Sequence, residues 1–267
     1  MGKVNRTVRL GGRDVTRMGM GTNRLTPTPD NIEHVRQAVA AGIGMIDTAH
    51  LYSSGASEVA IGEALASDTS SARPVVATKG GYAHGDGRPE ALRAQIEQSL
   101  RSLRTKQIDL YYLHRVDPGT PLEDSVAVLA EFRARGVIRD VGLSQVSIEQ
   151  VEHARQIVPI AAVQNQYNVA DRALDGLVDY CTHEGIVFVA FYPLHGEHIE
   201  LDRVASALGA TRSQVALAWL LHRSPNTLPI PGSLAAAHVR ENVAALDIEL
   251  SDEDAEVLSA TADENTK

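Results

Sequence analysis

The stretch Val75-Val-Ala-Thr-Lys79, followed by Arg88-Pro-Glu-Ala-Leu-Arg-Ala-Gln-Ile-Glu-Gln-Ser-Leu-Arg-Ser-Leu103 and then Ile108-Asp-Leu-Tyr-Tyr-Leu113, reads as strand, helix and strand. The outer pieces are short apolar runs of the kind that form buried strands. In the middle piece Pro89 stands at the start, where a missing N–H costs nothing. Leu92, Ile96, Leu100 and Leu103 then recur at helical spacing on one face.

Outward from this unit the pattern repeats in both directions. Short apolar strands are predicted near residues 17–21, 44–47, 75–79, 108–113, 137–142, 160–164, 186–191 and 227–230, each followed by a helix-like segment. Ser147-x-x-Gln150 and Thr211-x-x-Gln214 have the form of capping boxes that open helices. Leu174, Leu177, Val178 and Cys181 share one helical stripe, which makes Cys181 a packed core residue, and Trp219 sits in another apolar pattern of that kind. Ahead of the repeats, Thr7–Val15 reads as two short strands turning at Gly11-Gly12, a hairpin. Eight strand–helix units in this length predict an α/β fold, the (β/α)8 TIM barrel; a doubly wound open sheet is the runner-up. No composition break divides the chain, so residues 1–267 are expected to form one domain, with 1–16 as a hairpin plug and 251–267 as a tail carrying one short helix.

Composition narrows the function classes. The 267 residues are 43% hydrophobic, enough for a sizeable core, and the net charge of −9 argues against a general nucleic-acid surface. One cysteine excludes an internal disulfide and fits a reducing setting. Residues 1–12 lack the apolar run of a signal peptide, and no apolar run approaches the ~18 residues that span a bilayer. A soluble, cytoplasmic protein with no membrane and no nucleic-acid partner is expected; nothing in the sequence bears on its oligomeric state.

In a barrel, active-site groups stand at the carboxyl ends of strands or just beyond them. Asp47 ends the second predicted strand, Lys79 the third and His114 the fourth, with Tyr52 in the loop after the second. Singly, each has a plain structural reading as a cap, a solvent-reaching lysine, a bonded histidine or a loop aromatic. Together they are coherent chemistry. An ammonium beside a phenol favours the phenolate and lowers its pKa, a carboxylate holds the lysine charged, and an imidazole can bond a substrate oxygen.

Asp47-Thr-Ala-x-x-Tyr52, Thr78-Lys79 and Leu113-His114 resemble the catalytic tetrad of the aldo/keto reductase superfamily. The resemblance runs from the hairpin to about Leu246 and implies a (β/α)8 barrel with an N-terminal hairpin closing its bottom. It implies Tyr52 as general acid, tuned by Lys79 and Asp47, with His114 orienting the carbonyl. It further implies a cofactor site. Gly21, Thr22 and Asn23 follow the family's first-strand pattern near the nicotinamide ribose, and Asp47 contributes there too. Ser144 and Gln145 stand where relatives carry Ser-Asn, one methylene shorter at the second position, and Gln164 fills the third carboxamide position. Tyr192, followed by Pro193 and Leu194, is the expected stacking aromatic. Ile230, Gly232, Ser233, His238, Glu241 and Asn242 resemble the segment around the adenosine 2′-phosphate and adenine. NADPH is the cofactor the family's tendency implies, with NADH the alternative, because relatives often grip the 2′-phosphate with Lys and Arg where this chain has Gly232 and His238.

The resemblance therefore implies NAD(P)H-dependent reduction of an aldehyde or ketone, a small-molecule carbonyl substrate. The rival reading is a catalytically weak, cofactor-binding regulatory subunit on the same barrel; a metal-dependent barrel hydrolase comes third. No metal is expected: His195-Gly-Glu-His198 lacks a helical H-E-x-x-H frame, and no full G-x-G-x-x-G is present. Loops after the strands are short, as in Arg115–Pro121, and seven Tyr, three Phe and one Trp are few for lining a pocket, which points to an open site. Tyr82 and His84 read as a solvated turn near it. Val163-Gln-Asn-Gln-Tyr-Asn168, Ala216–Asn226 and Ile230-Pro-Gly-Ser233 are similar to the bacterial pyridoxal reductase (pyridoxine 4-dehydrogenase) branch, which implies a pyridoxal-type aldehyde.

Overall fold

The protein is described by a computed structural model over residues 4–66, 73–197 and 199–260. An antiparallel hairpin comes first: β1 (Thr7–Leu10) and β2 (Arg13–Thr16), with Thr7 opposite Thr16. It turns through Gly11, whose φ of +53° suits glycine and where a Cβ would strike the Asp140 carboxylate. Eight strands follow in one parallel sheet in chain order: β3 (Gly19–Gly21), β4 (Met45–Asp47), β5 (Val75–Gly80), β6 (Ile108–Leu113), β7 (Ile138–Ser144), β8 (Ile160–Gln166), β9 (Val187–Phe191) and β10 (Thr227–Pro229). The connecting helices are α1 (Pro29–Ala40), α2 (Ala56–Leu65), α3 (Pro89–Ser102), α4 (Leu122–Ala134), α5 (Ile148–Arg155), α6 (Asp175–His183), α7 (Glu200–Leu208), α8 (Arg212–Arg223) and α9 (Ala236–Ala244), and α10 (Asp252–Ala260) ends the described chain. No helix among the described residues is long and apolar enough to cross a membrane.

The sheet closes into a (β/α)8 barrel where Gly21 bridges Gly232 in parallel and the Gly21 N–H donates to the Pro231 carbonyl at 3.2 Å. Alternation along the strands then decides what the barrel holds. Met45, Val75, Ala77, Leu110, Tyr112, Ala162, Val187, Val189 and Leu228 pack inside, and Val8, Leu10 and Val15 of the hairpin join the same cluster from below. The next residues of that inner register, towards the carboxyl end, are Asp47, Lys79, His114 and Gln164. The barrel is therefore apolar at its base and polar at its mouth. A second, larger core lies between strands and helices.

All eight predicted strands are present, and both capping boxes close reciprocally at Ser147 and Thr211. Two helical expectations are amended. Between β9 and β10 stand two helices rather than one, because Gly209 (φ +61°) ends α7 and Thr211 opens α8 two residues later. On α3 the predicted stripe holds at Leu92, Ile96 and Leu103, with Leu100 only partly covered and Ser99 and Ser102 buried beside it. Cys181 is buried, and burial pushes its thiol up to about 12, the behaviour of a core residue. Trp219 is buried too, stacked on Tyr167 at 5.8 Å, with its indole N–H on the Ser259 hydroxyl of α10. Of the tail from Ser251, residues 261–267 lie outside the described set.

Two contacts hold the hairpin under the barrel. Gly44 lies against the Thr16 backbone, where a Cβ would come within 2.1 Å of the Thr16 carbonyl oxygen. Arg17, the residue after β2, is buried and donates to the carbonyls of Asn5 (3.1 Å), Thr227 (3.0 Å), Leu221 (2.8 Å) and Ser224. Burial lowers its guanidinium to about 10, and backbone carbonyls are its hydrogen-bond partners.

Candidate active site

Asp47 ends β4, Lys79 is one residue short of the end of β5 and His114 is the first residue after β6, and the chain after Asp47 bends to bring Tyr52 over them. That bend is tied at each step. Thr48 N–H donates to the Ala77 carbonyl and His50 N–H to the Lys79 carbonyl, both at 2.9 Å, so the loop runs on as an irregular extension of the sheet. Tyr52 N–H donates to Ala49, and a one-turn helix then carries Ser53 and Ser54 at φ +50° and +54°. Beneath it the Ser57 hydroxyl meets both the Thr48 hydroxyl (2.8 Å) and the Thr22 hydroxyl (2.9 Å), pinning loop, α2 and β3 together.

Lys79 is the centre of the arrangement. Its ammonium is buried and has three N–H groups, directed at Asp47 Oδ1 (2.5 Å), the Thr48 carbonyl (2.8 Å) and the Tyr52 hydroxyl (3.5 Å). The second Asp47 oxygen accepts from Gln164 Nε2 at 2.7 Å, so the carboxylate is fully committed. The Tyr52 and His114 rings meet edge-on with centroids 5.9 Å apart.

The electrostatics differ from the sequence expectation at Tyr52. Lys79 does draw the phenol down, but burial outweighs it, with Asp47 adding to the rise, and the phenol stands above its ordinary value. Desolvation is a property of the assembled site, not of residue spacing. Burial, reinforced by Lys79 and Arg115, lowers His114 to about 3, so its ring is neutral at pH 7. Its Nδ1 has no partner among the described residues.

These groups open into a cleft of about 610 Å³ at the barrel mouth. Gly21, Thr22, Asn23, Ser144, Gln145, Gln164, Tyr192, Pro193, Leu194, Ile230 and Gly232 all line it. Tyr192 is held at φ +50° with its carbonyl bonded by Asn168 Nδ2 at 3.0 Å, and the residue is left 55% exposed. Gln145, also at positive φ, turns its amide towards the His114 carbonyl at 3.4 Å. The Thr22 hydroxyl is taken up by the Asp47 carbonyl and Ser57, so Thr22 shapes the floor.

Ser233, His238, Glu241 and Asn242 stand apart from this cleft, along α9 and the turn before it. Ser233 Oγ and His238 Nδ1 lie 3.4 Å apart, and His34 of α1 bonds the Ser233 carbonyl at 2.9 Å. Glu241 Oε1 accepts from the Thr211 hydroxyl at 2.5 Å and its backbone carbonyl from Gln214 Nε2 at 3.2 Å, tying α9 to the start of α8. Arg24, Leu51, Gln166, Phe191 and Pro231 line the cleft without having been singled out. Gln166 and Phe191 share the inner register of Gln164 and Val189, so alternation alone could have found them. Tyr82, read as a solvated turn, is part of the wall. No group of three or more His, Cys, Asp or Glu among the described residues is arranged to hold a metal ion, and His198 lies outside those residues.

Comparison with known proteins adds an independent line. A family model described as "Aldo/keto reductase family" matches residues 17–199 and 197–263. Pyridoxine 4-dehydrogenase of Escherichia coli (strain K12) is 38% identical over 274 residues, covering 92% of this chain and 95% of that protein. An uncharacterized oxidoreductase of Schizosaccharomyces pombe is 37% identical over 92% of this chain and 87% of its own. A Klebsiella pneumoniae structure solved as an aldo/keto reductase with NADP and acetate superposes with a TM-score of 0.87 at 29% identity, over 97% of this chain and 96% of that one.

Proposed function

The chain belongs to the aldo/keto reductase family, and on that footing we propose that its cleft reduces a carbonyl to the alcohol with NADPH, Tyr52 delivering the proton. The observation that carries this reading is the Lys79 ammonium: buried, paired with Asp47 and aimed by its third N–H at the Tyr52 hydroxyl. Without such a neighbour the phenolate left by proton transfer would stand uncompensated in a buried site.

The residues present fit the cofactor. Because a carboxylate only accepts, Gln164 turns its NH2 to Asp47, which leaves its Oε1 free to accept from a carboxamide. Ser144 offers a hydroxyl beside it, and the exposed Tyr192 ring offers a flat face. At the other end the exposed turn at Gly232, with Ser233 and His238, can take a 2′-phosphate. Bound NADPH supplies the hydride to the carbonyl carbon. The protein's part is to fix the carbonyl oxygen between two neutral donors, the Tyr52 hydroxyl and the His114 ring in its Nε2–H form. As charge gathers on that oxygen, the Tyr52 proton moves to it, and the Lys79 ammonium stabilises the phenolate left behind. NADH is the alternative cofactor.

Kinship with a pyridoxine 4-dehydrogenase favours a pyridoxal-type aldehyde as substrate. The test is NADPH and NADH oxidation by purified protein over pyridoxal, substituted benzaldehydes and keto-sugars. A kcat/KM for pyridoxal well above the others supports that substrate; equal, poor rates on all remove it. No turnover with any carbonyl would overturn the reductase reading.

The same assay has a pH signature. His114 titrates at about 3, so no activity limb appears near the ordinary histidine value of about 6.5. The acid form of Tyr52 is the active one and its pKa is raised, so reduction is lost as pH climbs through that value, above the ordinary phenol figure of about 10. The expected kcat/KM profile is flat across roughly pH 5–9. A limb of slope one near neutrality would point to a charged His114 and contradict the burial argument.

A further inference from the structure

Below the tetrad the barrel interior holds a phenol that the reaction as described does not use. Tyr112 of β6 is the register partner of Lys79 on β5, so the two side chains share the inner face. On its other side Tyr112 pairs with Gly142 of β7, and its ring lies in the space that the glycine leaves. A Cβ on Gly142 would come within 2.4 Å of two ring carbons. Ala162, the partner of Gly142 on β8, is small as well. The Tyr112 ring is buried, and its hydroxyl has no hydrogen-bond partner among the described residues. Burial and the charge of Asp47 push this phenol well above its ordinary value, with the Gln164 side chain pulling the other way, so Tyr112 is neutral.

The Lys79 ammonium lies over this ring, 5.9 Å from its centroid, and over the Tyr52 ring at 4.9 Å. Of its three hydrogen bonds, the one to the Tyr52 hydroxyl is the longest, 3.5 Å against 2.5 and 2.8 Å. A water molecule reaching the ammonium would take that N–H first, because it is the least tightly held. The Tyr112 ring fills the barrel on the side from which such a water would come. Its face attracts a cation without accepting the hydrogen bond that Tyr52 needs. Tyr112 does not line the cleft, so whatever it does for the reaction it does through its neighbours.

We propose that Tyr112 is a positioning residue for carbonyl reduction: its ring closes the barrel beneath the Lys79 ammonium, keeps water from it and so reserves the third N–H for Tyr52. This rests on the carbonyl-reductase reading and adds to it a residue that acts only through Lys79. The titratable groups facing Tyr52 are Lys79, Asp47, Tyr192 and the neutral His114, and Lys79 is the one that pulls its phenol down. Loosening that one contact therefore has a sign: the Tyr52 phenol rises.

The test compares Tyr112→Leu with Leu110→Ala, which removes packing deeper on the same inner face without uncovering the ammonium. Tyr112→Leu is expected to lower kcat by ~10-fold, less than the loss of a whole transition-state donor, with KM for the aldehyde unchanged. Tyr112→Phe, which keeps the ring, recovers most of that loss. Leu110→Ala lowers the melting temperature and leaves kcat as in the parent. The alkaline limb of the pH profile, set by Tyr52, moves up by about one unit in Tyr112→Leu and stays in place in Leu110→Ala. Should Tyr112→Leu not fold, Gly142→Ala takes its place, since it drives a methyl group into the ring from β7. An unchanged kcat and limb overturn the proposal. So does an equal kcat loss in Leu110→Ala, which makes the effect one of packing, or a Tyr112→Phe as impaired as Tyr112→Leu. If no aldehyde is turned over, the reductase reading fails by itself. The proposal is then judged by NMR titration of isotope-labelled tyrosine, with the Tyr52 signal assigned from Tyr52→Phe and expected to titrate higher in Tyr112→Leu.

Discussion

Tyr52→Phe is expected to lower kcat for carbonyl reduction by roughly 10²–10⁴-fold, the span that a positioned general acid supplies. The ring is kept, so its edge-on contact with His114 and the 4.9 Å approach of the Lys79 ammonium to its face are kept too. Only the hydroxyl facing Lys79 is lost. NADPH affinity, read from fluorescence titration, should be unchanged, because the groups fitted to the cofactor lie on β7, β8 and the turns after β9 and β10. Retained turnover would remove Tyr52 as the acid. A parallel fall in NADPH affinity would mean that the hydroxyl shapes the cofactor site instead.

Lys79→Met should cost both activity and stability. Asp47 would remain buried with only Gln164 as a donor, and stranding one member of a buried ion pair costs about 3–5 kcal/mol. In a chain of this size that is a fall in Tm on the order of 10 °C by calorimetry. Adding Asp47→Leu to make the double variant should return part of that stability, since no charge is then left in the barrel. Recovery is incomplete because Gln164 Nε2 loses its acceptor. Activity should not return at all. If the single variant melts at the parent temperature, the pair contributes little to folding. If the double variant melts lower still, packing rather than charge governs the site.

The barrel was legible because each strand–helix unit repeats the same local signals, and because glycine and capping residues punctuate them. Asp47, Lys79 and His114 were found by position alone, as the residues that end three consecutive strands. What escaped was set by distances between segments far apart in the chain. The Glu241 carboxylate meets the hydroxyl of Thr211, thirty residues earlier, a contact that spacing does not show. The Thr22 hydroxyl is likewise consumed by Ser57 on α2. The Tyr52 shift turned on desolvation, a property of the assembled site. Tyr82 looked like loop chemistry because its support, Asp117, belongs to a different loop.

Arg17 carries a consequence for how the molecule is made. Its carbonyl partners include Leu221, Ser224 and Thr227, more than two hundred residues downstream. A chain emerging from the ribosome has none of these acceptors until nearly all of it has been synthesised. Contacts of such sequence separation form late, after the loop-closure entropy has been overcome. The buried guanidinium thus gains most of its acceptors only from the last third of the chain, at the end where β10 meets β3. The seam that closes the ring is also the place where Gly21 and Gly232 meet at the barrel mouth.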